Sequence, residues 1–510
     1  MWWKRGRVSE VVIGVDVGSS GTCAQAIDAS GALLASAYRS YDVSYVQPGW
    51  ADQDPEAWMK AVVETVAEAR AAVPGRRISA IGFGSQLDGL VALDDAGKAL
   101  RPALIWMDKR AGQQCDELAK GLDLGWLRKT SGCNLDAGHV AAKIVWLQTN
   151  EPAVFAAARS FALPGSYVAL QVSGVHAVDP SNASSTMLLD VRSRAWSSEL
   201  CDVFEVDVER LPRVKDASTV LGHPLDWFRE ATGLDRSTKV VLGCGDEMAA
   251  TLGAGVIDAG TVCDVLGTAE PVCAVTARPV NDESGVVEAH PHADPDKWLL
   301  ENPGWLSGGA YRWFRDELAR GMSSTDGNQK VSYEALNELI AESPAGADGV
   351  IWLPFLGGAT APEWNSSARA VWFGLTAAHG RSHLVRALHE GNAFALRDVM
   401  QAMTSAGATP KRIICVGGGA RSKVLRSIRA DVTGLPVSRC EDVETTARGA
   451  AILAALGAGL HLSVASACTA MASPAVDEIQ PDELRHVLYN QVHARYRALY
   501  AALKPLFAKT

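Results

Sequence analysis

Two carboxylates, each placed at the end of an apolar run, are the residues of this chain best suited to chemistry. Asp16 follows the β-branched run at residues 11–15 and opens the segment Asp-Val-Gly-Ser-Ser-Gly-Thr at 16–22. The backbone N–H groups and hydroxyls of such a loop can hold a phosphate, and a carboxylate at a strand end can hold Mg²⁺ directly or through water. A plain glycine–serine hairpin is the alternative interpretation of this loop taken alone.

Asp246 is the second carboxylate, and it ends the segment Val-Val-Leu-Gly-Cys-Gly-Asp at residues 240–246. A carboxylate delivered to a cleft in this way can accept the proton of a hydroxyl, although capping the helix predicted after it is the alternative role. A second small-residue turn, Leu-Gly-Thr at 266–268, also follows an apolar run. Two strand–turn–strand loops of the same kind predict two related domains that face each other across a cleft.

Elements with clear boundary signals must position these loops. No helix follows the glycines of the first loop, so it is not a dinucleotide-binding fingerprint, and the chain has no Gly-x-x-x-x-Gly-Lys-Ser/Thr motif. Asp54 and Pro55 predict the N-cap and the first residue of a helix. A terminal helix is predicted over residues 481–506, with one apolar stripe that docks on the body of the protein: Leu484, Leu488, Val492, Tyr496, Leu499 and Leu503.

The composition excludes several classes of function. A chain of 510 residues, 48% of them hydrophobic, is too long for one core and predicts two or three domains. Its net charge of -10 argues against a nucleic-acid partner, because phosphate backbones are bound by basic surfaces. The cysteines form no Cys-x-x-Cys pair, which favours buried thiols in a reducing cytoplasm. Residues 450–473 could span a membrane by length, but their many Ala, Gly and Ser residues predict a packed helix and no membrane partner.

The order of the motifs resembles that of the FGGY carbohydrate kinases, a family of the actin-like ATPase superfamily. The three segments above are followed by Trp-Phe-Gly-Leu at 372–375 and Gly-Gly-Gly-Ala at 417–420, and the resemblance covers nearly the whole chain. It implies an α/β fold of two actin-like, ribonuclease H-like domains that flank a catalytic cleft. The N-terminal domain, residues 8–255, would bind the sugar and carry the first phosphate loop and the base. The C-terminal domain, residues 256–510, would bind the nucleotide and end in the docked helix.

The resemblance also implies a role for each motif residue. Phosphoryl transfer requires positioning and charge compensation more than covalent chemistry, and the expected cofactors are ATP and Mg²⁺. Asp246 would be the general base that accepts the proton of the sugar hydroxyl, and Asp16 would hold Mg²⁺. The residues expected to bind the nucleotide are Ser19, Ser20, Thr22, Gly267, Thr268, Gly308, Gly309, Gly418 and Gly419. The residues expected to bind the substrate are Gln86, Leu87, Asp88, Trp106, Asp108 and Glu247.

The segment around Leu87 and Asp88 departs from the patterns of related kinases. At these positions glycerol kinases carry Arg-Glu and xylulokinases typically carry Met-His, whereas erythritol kinases place Gly-Asp-Gly after the Gln. Gly138 stands where glycerol kinases carry a cleft-narrowing Tyr, which predicts room for a longer sugar. Glu247 adds an acceptor suited to vicinal hydroxyls. The predicted substrate is a ketopentose such as D-xylulose, converted to xylulose 5-phosphate, with erythritol, ribulose or a glycerol-like polyol as alternatives.

Other interpretations stay open at this point. A catalytically silent homologue would bind sugar or nucleotide as a regulator, but it would have no need of the base. A nucleotide-dependent dehydrogenase would require a fingerprint that the chain lacks. His290 and His292 could bind a metal, although no cysteine or carboxylate with ligand spacing accompanies them, and a loop or substrate-edge role is favoured. A homodimer is common among such kinases, without an interface signature in this sequence.

Overall fold

The computed structural model describes residues 10–319 and 331–507, so the outermost residues of both predicted domains lie outside it. The strands are β1 (Val11–Val17), β2 (Gly21–Asp28), β3 (Leu33–Ser40), β4 (Asp52–Gln53), β5 (Ile78–Ser85), β6 (Val91–Leu93), β7 (Ala103–Leu104), β8 (Ser160–Ala162), β9 (Ala177–Val178), β10 (Leu189–Asp190), β11 (Ala195–Trp196), β12 (Arg213–Val214), β13 (Val220–Gly222), β14 (Lys239–Gly245), β15 (Thr261–Val265), β16 (Val272–Thr276), β17 (Glu288–Pro291), β18 (Trp298–Asn302), β19 (Ile351–Leu353), β20 (Val371–Phe373), β21 (Arg412–Val416), β22 (Val437–Cys440) and β23 (Ala475–Ile479). The α-helices are α1 (Pro55–Ala71), α2 (Gly112–Leu118), α3 (Leu124–Ser131), α4 (Val140–Asn150), α5 (Pro152–Ala157), α6 (Pro164–Ser173), α7 (Pro180–Ser184), α8 (Ser198–Val203), α9 (Asp226–Thr232), α10 (Asp246–Gly253), α11 (Ser307–Trp313), α12 (Tyr333–Glu342), α13 (Arg381–Ser405), α14 (Lys423–Thr433), α15 (Thr445–Ala458), α16 (Val464–Met471) and α17 (Glu483–Phe507).

The first large sheet carries both predicted carboxylates at the carboxyl ends of its parallel strands. Its strands lie in the order β13-β14-β5-β1-β2-β3. Strand β1 pairs antiparallel with β2 and parallel with β5, which in turn pairs parallel with β14. Every residue of β5 is buried, as expected for a central parallel strand covered on both faces. The parallel strands end together, at the edge where open α/β sheets bind ligands.

The second large sheet repeats this arrangement. Its strands lie in the order β17-β18-β16-β15-β21-β22-β23. Strand β15 pairs antiparallel with β16 and parallel with β21, and β21 pairs parallel with β22. The run β18-β16-β15-β21-β22 therefore matches β3-β2-β1-β5-β14 of the first sheet in order and direction. The two loops of similar sequence lie at equivalent turns of this repeat, β1–β2 and β15–β16, as the sequence predicted.

Two helices join the halves of the molecule at backbone contact. A Cβ added to Gly253 of α10 would lie 1.9 Å from the carbonyl oxygen of Thr445, and one added to Gly449 of α15 would lie 1.8 Å from that of Ala249. Helix α15 also covers the first sheet, because a Cβ at Gly14 would lie 1.9 Å from the carbonyl oxygen of Ala447. Only glycine allows such close approach, so these positions fix how the two sheets are joined.

Two helix predictions, the Asp54 cap of α1 and the apolar stripe of the terminal helix, can be compared with the structure. Helix α1 begins at Pro55, and the Asp54 side chain accepts a hydrogen bond from the backbone N–H of Glu56 at 3.0 Å, as predicted. Helix α17 is also present, but its predicted stripe is partly wrong, since Leu484 is 84% exposed. The buried face instead includes Tyr489, whose hydroxyl donates to Glu390 at 2.7 Å. Hydrogen-bonded aromatic residues on this face replace leucines that the apolar spacing had selected.

The apolar stretch at 450–473 was predicted as one packed helix and forms parts of two, whereas the cysteines are buried as predicted. The stretch is divided between α15 and α16, which are separate packed helices. Among the helices that the structure describes, none is long and apolar enough to cross a membrane. All ten cysteines are buried and unpaired with one another, which confirms the expectation of free thiols.

Candidate active site

The edge of the first sheet brings the predicted catalytic residues together. Asp16 of β1 lies opposite Gly84 of β5, and Gly245 of β14 lies opposite Ser85. Asp16, the loop that begins at Gln86, and Asp246 therefore stand at the ends of three adjacent parallel strands. Residues distant in sequence meet here because parallel strands share their carboxyl edge.

Asp246 begins helix α10, and its surroundings suit a general base. Its Oδ1 accepts a hydrogen bond from the backbone N–H of Glu247 at 3.1 Å. The preceding Gly245 N–H donates to the hydroxyl of Ser181 at 3.1 Å, which fixes the turn into the helix. Burial, with the nearby carboxylates of Asp16 and Glu301 adding to it, raises the pKa of Asp246 to about 6, against the lowering effect of its hydrogen bonds with Glu247. A carboxylate that titrates this close to neutrality accepts a proton more readily than an ordinary aspartate.

Asp16 lies in β1 beside the first phosphate loop. Its Oδ1 is buried and has no hydrogen-bond partner among the described residues. Burial, with the carboxylates of Glu444 and Glu247 adding to it, raises the pKa of Asp16 to about 8. A buried carboxylate oxygen without a donor fits a cation ligand, so the residues present fit the predicted Mg²⁺.

The serines and threonine of the first loop differ in their access to the cleft. Ser20 is exposed and Ser19 is half-buried, so both can present hydroxyls to a phosphate. Thr22 is fully buried, and its hydroxyl lies 3.3 Å from that of Tyr41. The Tyr41 hydroxyl in turn donates to the carbonyl oxygen of Gly18 at 2.5 Å. In this structure Thr22 therefore supports the loop from beneath, a correction to its expected contact with phosphate.

Three glycine-rich segments meet at the edge of the second sheet. Gly309 N–H donates to the carbonyl oxygen of Thr268 at 3.0 Å, and Gly419 N–H donates to that of Leu266 at 3.1 Å. A Cβ at Gly308 would lie 2.1 Å from the carbonyl oxygen of Gly267, so only glycine fits there. Gly267 and Thr268 are exposed, as the predicted phosphate contacts require.

The third of these segments leaves open space. A Cβ added to Gly418 would meet no described atom within 4 Å. Helix α14 starts shortly after, where the Ser422 side chain accepts a hydrogen bond from the N–H of Leu425 at 3.4 Å. The segments around Gly267, Gly308 and Gly418 thus form one backbone surface, as the predicted nucleotide site requires.

A buried ion network beneath this surface was not found from the sequence. Arg429 of α14 donates through Nε to Asp264 at 2.8 Å and through Nη2 to Glu270 at 2.7 Å. All three side chains are at most 1% exposed. Asp264 ends the apolar part of β15 and Glu270 follows the exposed loop, so Arg429 holds both ends of that loop. An aspartate inside an apolar strand run was the signal that could have revealed the network.

The sugar-side segment is tied to the first phosphate loop. Gln86 is buried, and its Nε2 donates to Gln53 Oε1 at 3.1 Å. Gln53 donates to the carbonyl oxygen of Ser19 at 2.7 Å. The Oε1 of Gln86 is buried without a hydrogen-bond partner in the part of the chain described. Leu87 packs against Gly245, where an added Cβ would lie 2.5 Å from Leu87 Cδ2.

Asp88 belongs to a charged network whose other members the sequence did not reveal. Its Oδ1 lies 3.1 Å from Nδ1 of His139, whose Nε2 lies 3.6 Å from Oε1 of Glu288. Burial opposes protonation of His139, but the two carboxylates outweigh it and raise its pKa well above the usual value. Lys143 donates to the carbonyl oxygens of Asp88 at 2.5 Å and Ile105 at 2.8 Å, and burial lowers its pKa to about 7. These residues come from separate segments and carry no local motif.

Asp108 is a correction among the expected substrate ligands. It is 0% exposed, and its Oδ2 accepts from the backbone N–H of Ala51 at 2.6 Å. Its Oδ1 accepts from Nε of Arg110 at 2.9 Å. The carboxylate therefore braces the loop and does not face a sugar. Trp106 on the same loop is 38% exposed and remains open to a substrate.

The space expected at Gly138 is already filled. A Cβ at this position would lie 2.8 Å from Nζ of Lys109 and 2.9 Å from Oδ1 of Asp136. These two side chains form an ion pair at 2.5 Å. The absence of the cleft-narrowing Tyr is thus offset by a lysine from a neighbouring segment, which the sequence pattern could not indicate.

His290 of β17 is one of the two histidines that could bind a metal by sequence. His290 is buried, and its Nδ1 lies 2.8 Å from the hydroxyl of Ser184. Potential ligand atoms of Cys133, Glu288 and His290 lie within 4.8 Å of one another. Ligand spacing in the sequence did not indicate this group, because Cys133 lies far along the chain from His290. The Cys133 thiol, however, lies 3.4 Å from the carbonyl oxygen of Ser184, and burial raises its pKa well above the usual value. A protonated thiol is a poor metal ligand.

Comparison with known proteins assigns the chain to a family. The N-terminal domain model of the FGGY family of carbohydrate kinases matches residues 11–253, and the C-terminal domain model matches residues 264–458. The chain belongs to the FGGY family of carbohydrate kinases. It is 30% identical to the xylulose kinase of Escherichia coli K12 over 97% of this chain and 100% of that protein. It is 32% identical to the glycerol kinase of Gloeobacter violaceus over 89% of each chain.

Solved structures support the fold of this FGGY kinase. The crystal structure of gluconate kinase from Lactobacillus acidophilus matches it with a TM-score of 0.90 at 24% identity, and covers 98% of this chain and 99% of that one. The predicted two-domain α/β fold is thereby confirmed. The two family models and the E. coli relative confirm the predicted class of enzyme, an ATP-dependent sugar phosphotransferase. The roles of individual residues stay predictions.

Proposed function

We propose that this FGGY kinase transfers the γ-phosphoryl group of ATP to a ketopentose, D-xylulose to xylulose 5-phosphate in the first instance. The observation that carries the proposal is the position of Asp246, at one sheet edge with Asp16 and the loop of Gln86. The long match to the E. coli xylulose kinase favours xylulose among the possible sugars. Residues 8–255 would bind the sugar and residues 256–510 the nucleotide.

The chemistry assigned to the residues is simple. Asp246 accepts the proton of the sugar hydroxyl while the oxygen of that hydroxyl forms a bond to the γ-phosphorus of ATP. The bond between the γ-phosphorus and the oxygen of the ADP leaving group breaks at the same time. Ser19, Ser20 and Thr268 would hold the phosphates through hydroxyls. Mg²⁺, held by Asp16, would neutralise charge on the phosphates. The backbone surface at Gly308 and Gly418 would take the rest of the nucleotide.

The polar groups around the sugar loop favour an uncharged polyhydroxy substrate. Gln86 Oε1 and Glu247 Oε2 are buried acceptors without described partners, so substrate hydroxyls would supply their missing donors. The nearby cations are already engaged, since Lys143 donates to backbone carbonyls and His139 lies between two carboxylates. A sugar acid would therefore bring a carboxylate into a site already rich in carboxylates.

A four-carbon polyol such as erythritol is the second candidate. The filled space at Gly138 favours it, because Lys109 and Asp136 occupy room that a longer sugar was expected to use. Ribulose and glycerol-like polyols use the same chemistry and belong in the same test. A regulatory protein that does not catalyse phosphoryl transfer would not need Asp246 as a general base.

A coupled assay of ADP release tests the proposal. Full-length protein with Mg-ATP is offered ketopentoses, tetritols, glycerol and D-gluconate at matched concentrations. We expect the highest kcat/KM for D-xylulose and negligible turnover of gluconate. A preference for erythritol would shift the substrate to the second candidate. Absence of sugar-dependent ADP release with every compound, in protein that binds ATP, would overturn the proposed function.

A further inference from the structure

A small cavity lies beside the sugar loop and the proposed base. Its walls come from both halves of the chain. From the first half come Leu87, Gly245 and Met248, and from the second half come His290, Leu299 and Glu301. The sequence patterns assign no role to Glu301 of β18, whereas they favour a loop or substrate-edge role for His290 of β17. Polar residues that line a cavity beside a reacting group are candidates for substrate contact.

The β17–β18 hairpin presents three ionisable side chains on one face. Glu288 lies directly opposite Glu301 in the antiparallel pair, and His290 follows two residues after Glu288. Side chains at these positions share one face of the hairpin. Burial, with the carboxylates of Glu247 and Glu288 adding to it, raises the pKa of Glu301 well above its usual value, so placing a carboxyl group here has a cost. This arrangement lowers the stability of the folded protein. The groups that contact this face of the hairpin must therefore account for it.

Glu288 and Glu301 differ in how their carboxylates are satisfied. Oε1 of Glu288 accepts from the backbone N–H of Asn134 at 2.7 Å and from its Nδ2 at 3.2 Å. Glu301 is 5% exposed, yet within the described residues its carboxylate makes no hydrogen bond. Nε2 of His290 lies 3.8 Å from Oε2 of Glu301, beyond hydrogen-bond distance. Glu301 is therefore a largely buried carboxyl group that lines the cavity and can offer an oxygen to a bound hydroxyl.

We propose that Glu301, placed beside His290, accepts a hydrogen bond from a substrate hydroxyl other than the one that is phosphorylated. The inference rests on the proposed function and names a contact for it from the second half of the molecule. Hydroxyls are the donors that an uncharged ketose offers, whereas a sugar acid would place a second carboxylate against Glu301. A site built to hydrogen-bond a hydroxyl rejects analogues that lack it or direct it elsewhere.

The test uses full-length variants and the four stereoisomeric ketopentoses, D- and L-xylulose and D- and L-ribulose. Glu301→Met keeps the length of the side chain and removes both acceptor oxygens. We expect it to lower kcat/KM for the preferred ketopentose by roughly 10- to 100-fold and to bring the four values closer together. Glu301→Gln keeps one acceptor oxygen and should retain more of the activity. The KM for ATP should change by less than about twofold in both variants.

Asp258→Asn is the matched control. Asp258 is an exposed carboxylate, 81% exposed at its side chain, that pairs with Lys297 in the turn of the same hairpin. Its variant should leave the ratios among ketopentoses unchanged, and thermal unfolding checks that each variant is folded. Unchanged ratios in Glu301→Met would overturn the inference while leaving the proposed function intact.

A separate outcome concerns the proposed function itself. If the wild-type protein releases no ADP with any ketopentose, calorimetric titration with D-xylulose decides the inference. Weaker binding to Glu301→Met than to wild type would support the contact, and equal binding, or no binding to either, would overturn it. The two failures are thus distinguishable.

Discussion

The nucleotide side and the sugar side of the cleft differ in the partners of their buried carboxyl groups. On the nucleotide side, Arg429 donates to both Asp264 and Glu270, and backbone hydrogen bonds join the three loops above them. Each of these buried carboxylates binds Arg429 through one oxygen, although Oδ1 of Asp264 and Oε2 of Glu270 have no hydrogen-bond partner among the described residues. On the sugar side, Glu301 makes no hydrogen bond among the described residues, and oxygens of Gln86 and Glu247 are buried without partners there. The carboxyl group of Glu301 lies 3.8 Å from His290, beyond hydrogen-bond distance.

The difference indicates which ligand each region is built to receive. A backbone surface supported by a buried arginine–carboxylate network has a fixed shape, which suits a nucleotide common to the whole family. Each buried acceptor without a donor costs about 1–3 kcal/mol, and a substrate hydroxyl recovers part of that cost on binding. Selectivity for the sugar would then depend on buried oxygens without partners, such as those of Gln86 and Glu247, and the two sides of the cleft can be tested separately.

The largest effect is expected at the proposed base. Asp246→Asn keeps the shape of the side chain but removes the proton acceptor, so kcat should fall roughly 10²- to 10⁴-fold. Affinity for the sugar, measured by calorimetric titration, should change little because the other contacts remain. Near-normal turnover in this variant would remove Asp246 from the role of base.

A large loss of stability is expected on the nucleotide side. Arg429→Met leaves the buried carboxylates of Asp264 and Glu270 without their partner and should lower the free energy of unfolding by about 3–5 kcal/mol. Urea denaturation measures this change. Arg439→Met is the matched control, because Arg439 pairs with the half-exposed Asp477, and its loss should cost less than about 1 kcal/mol. Equal effects of the two variants would contradict the assigned importance of the buried network.

The pH dependence of turnover should follow the base. With its pKa raised to about 6, Asp246 is ionised at neutral pH and becomes protonated as the pH falls. We therefore expect kcat/KM with saturating Mg-ATP to fall about tenfold between pH 7.5 and pH 5. A profile that stays flat to pH 4.5, in protein that remains folded, would contradict the raised pKa.

The smallest effect is expected on the melting temperature, from the buried carboxyl group of Glu247 on the sugar side. Burial, followed by the carboxylate of Asp246, raises the pKa of Glu247 well above its usual value. Its contribution to stability is therefore present at low pH and is lost as the pH rises towards the folded-state pKa. Glu247→Gln should raise Tm by about 2–4 °C at pH 8 and by less at pH 5. A lower Tm at pH 8 would show that this carboxylate is satisfied after all.

The sequence predicted those parts of the fold and site that depend on short local patterns. The loop at Asp16, the strand that ends before Asp246 and the cap at Asp54 all lie where the spacing placed them. Each is specified by neighbouring residues, because a strand followed by small residues forms a turn wherever it occurs.

The remaining features depend on residues that only the fold brings together. Arg429 and His139 lie far along the chain from the carboxylates they contact, so no local pattern points to them. The predicted contact of Asp108 was wrong because a motif position does not specify the direction of a side chain, and Arg110 holds it inward. The space predicted at Gly138 is occupied by the side chain of Lys109, because the absence of a side chain at one position does not show which neighbouring side chain will lie there.

The most direct test of the central claim is to follow the phosphorus of ATP by ³¹P NMR during turnover with D-xylulose. If the cleft transfers the γ-phosphoryl group to a sugar hydroxyl, ADP and a sugar phosphate should form in equal amounts, with little inorganic phosphate. Release of inorganic phosphate in place of a sugar phosphate, or no consumption of ATP with any neutral sugar, would contradict the account.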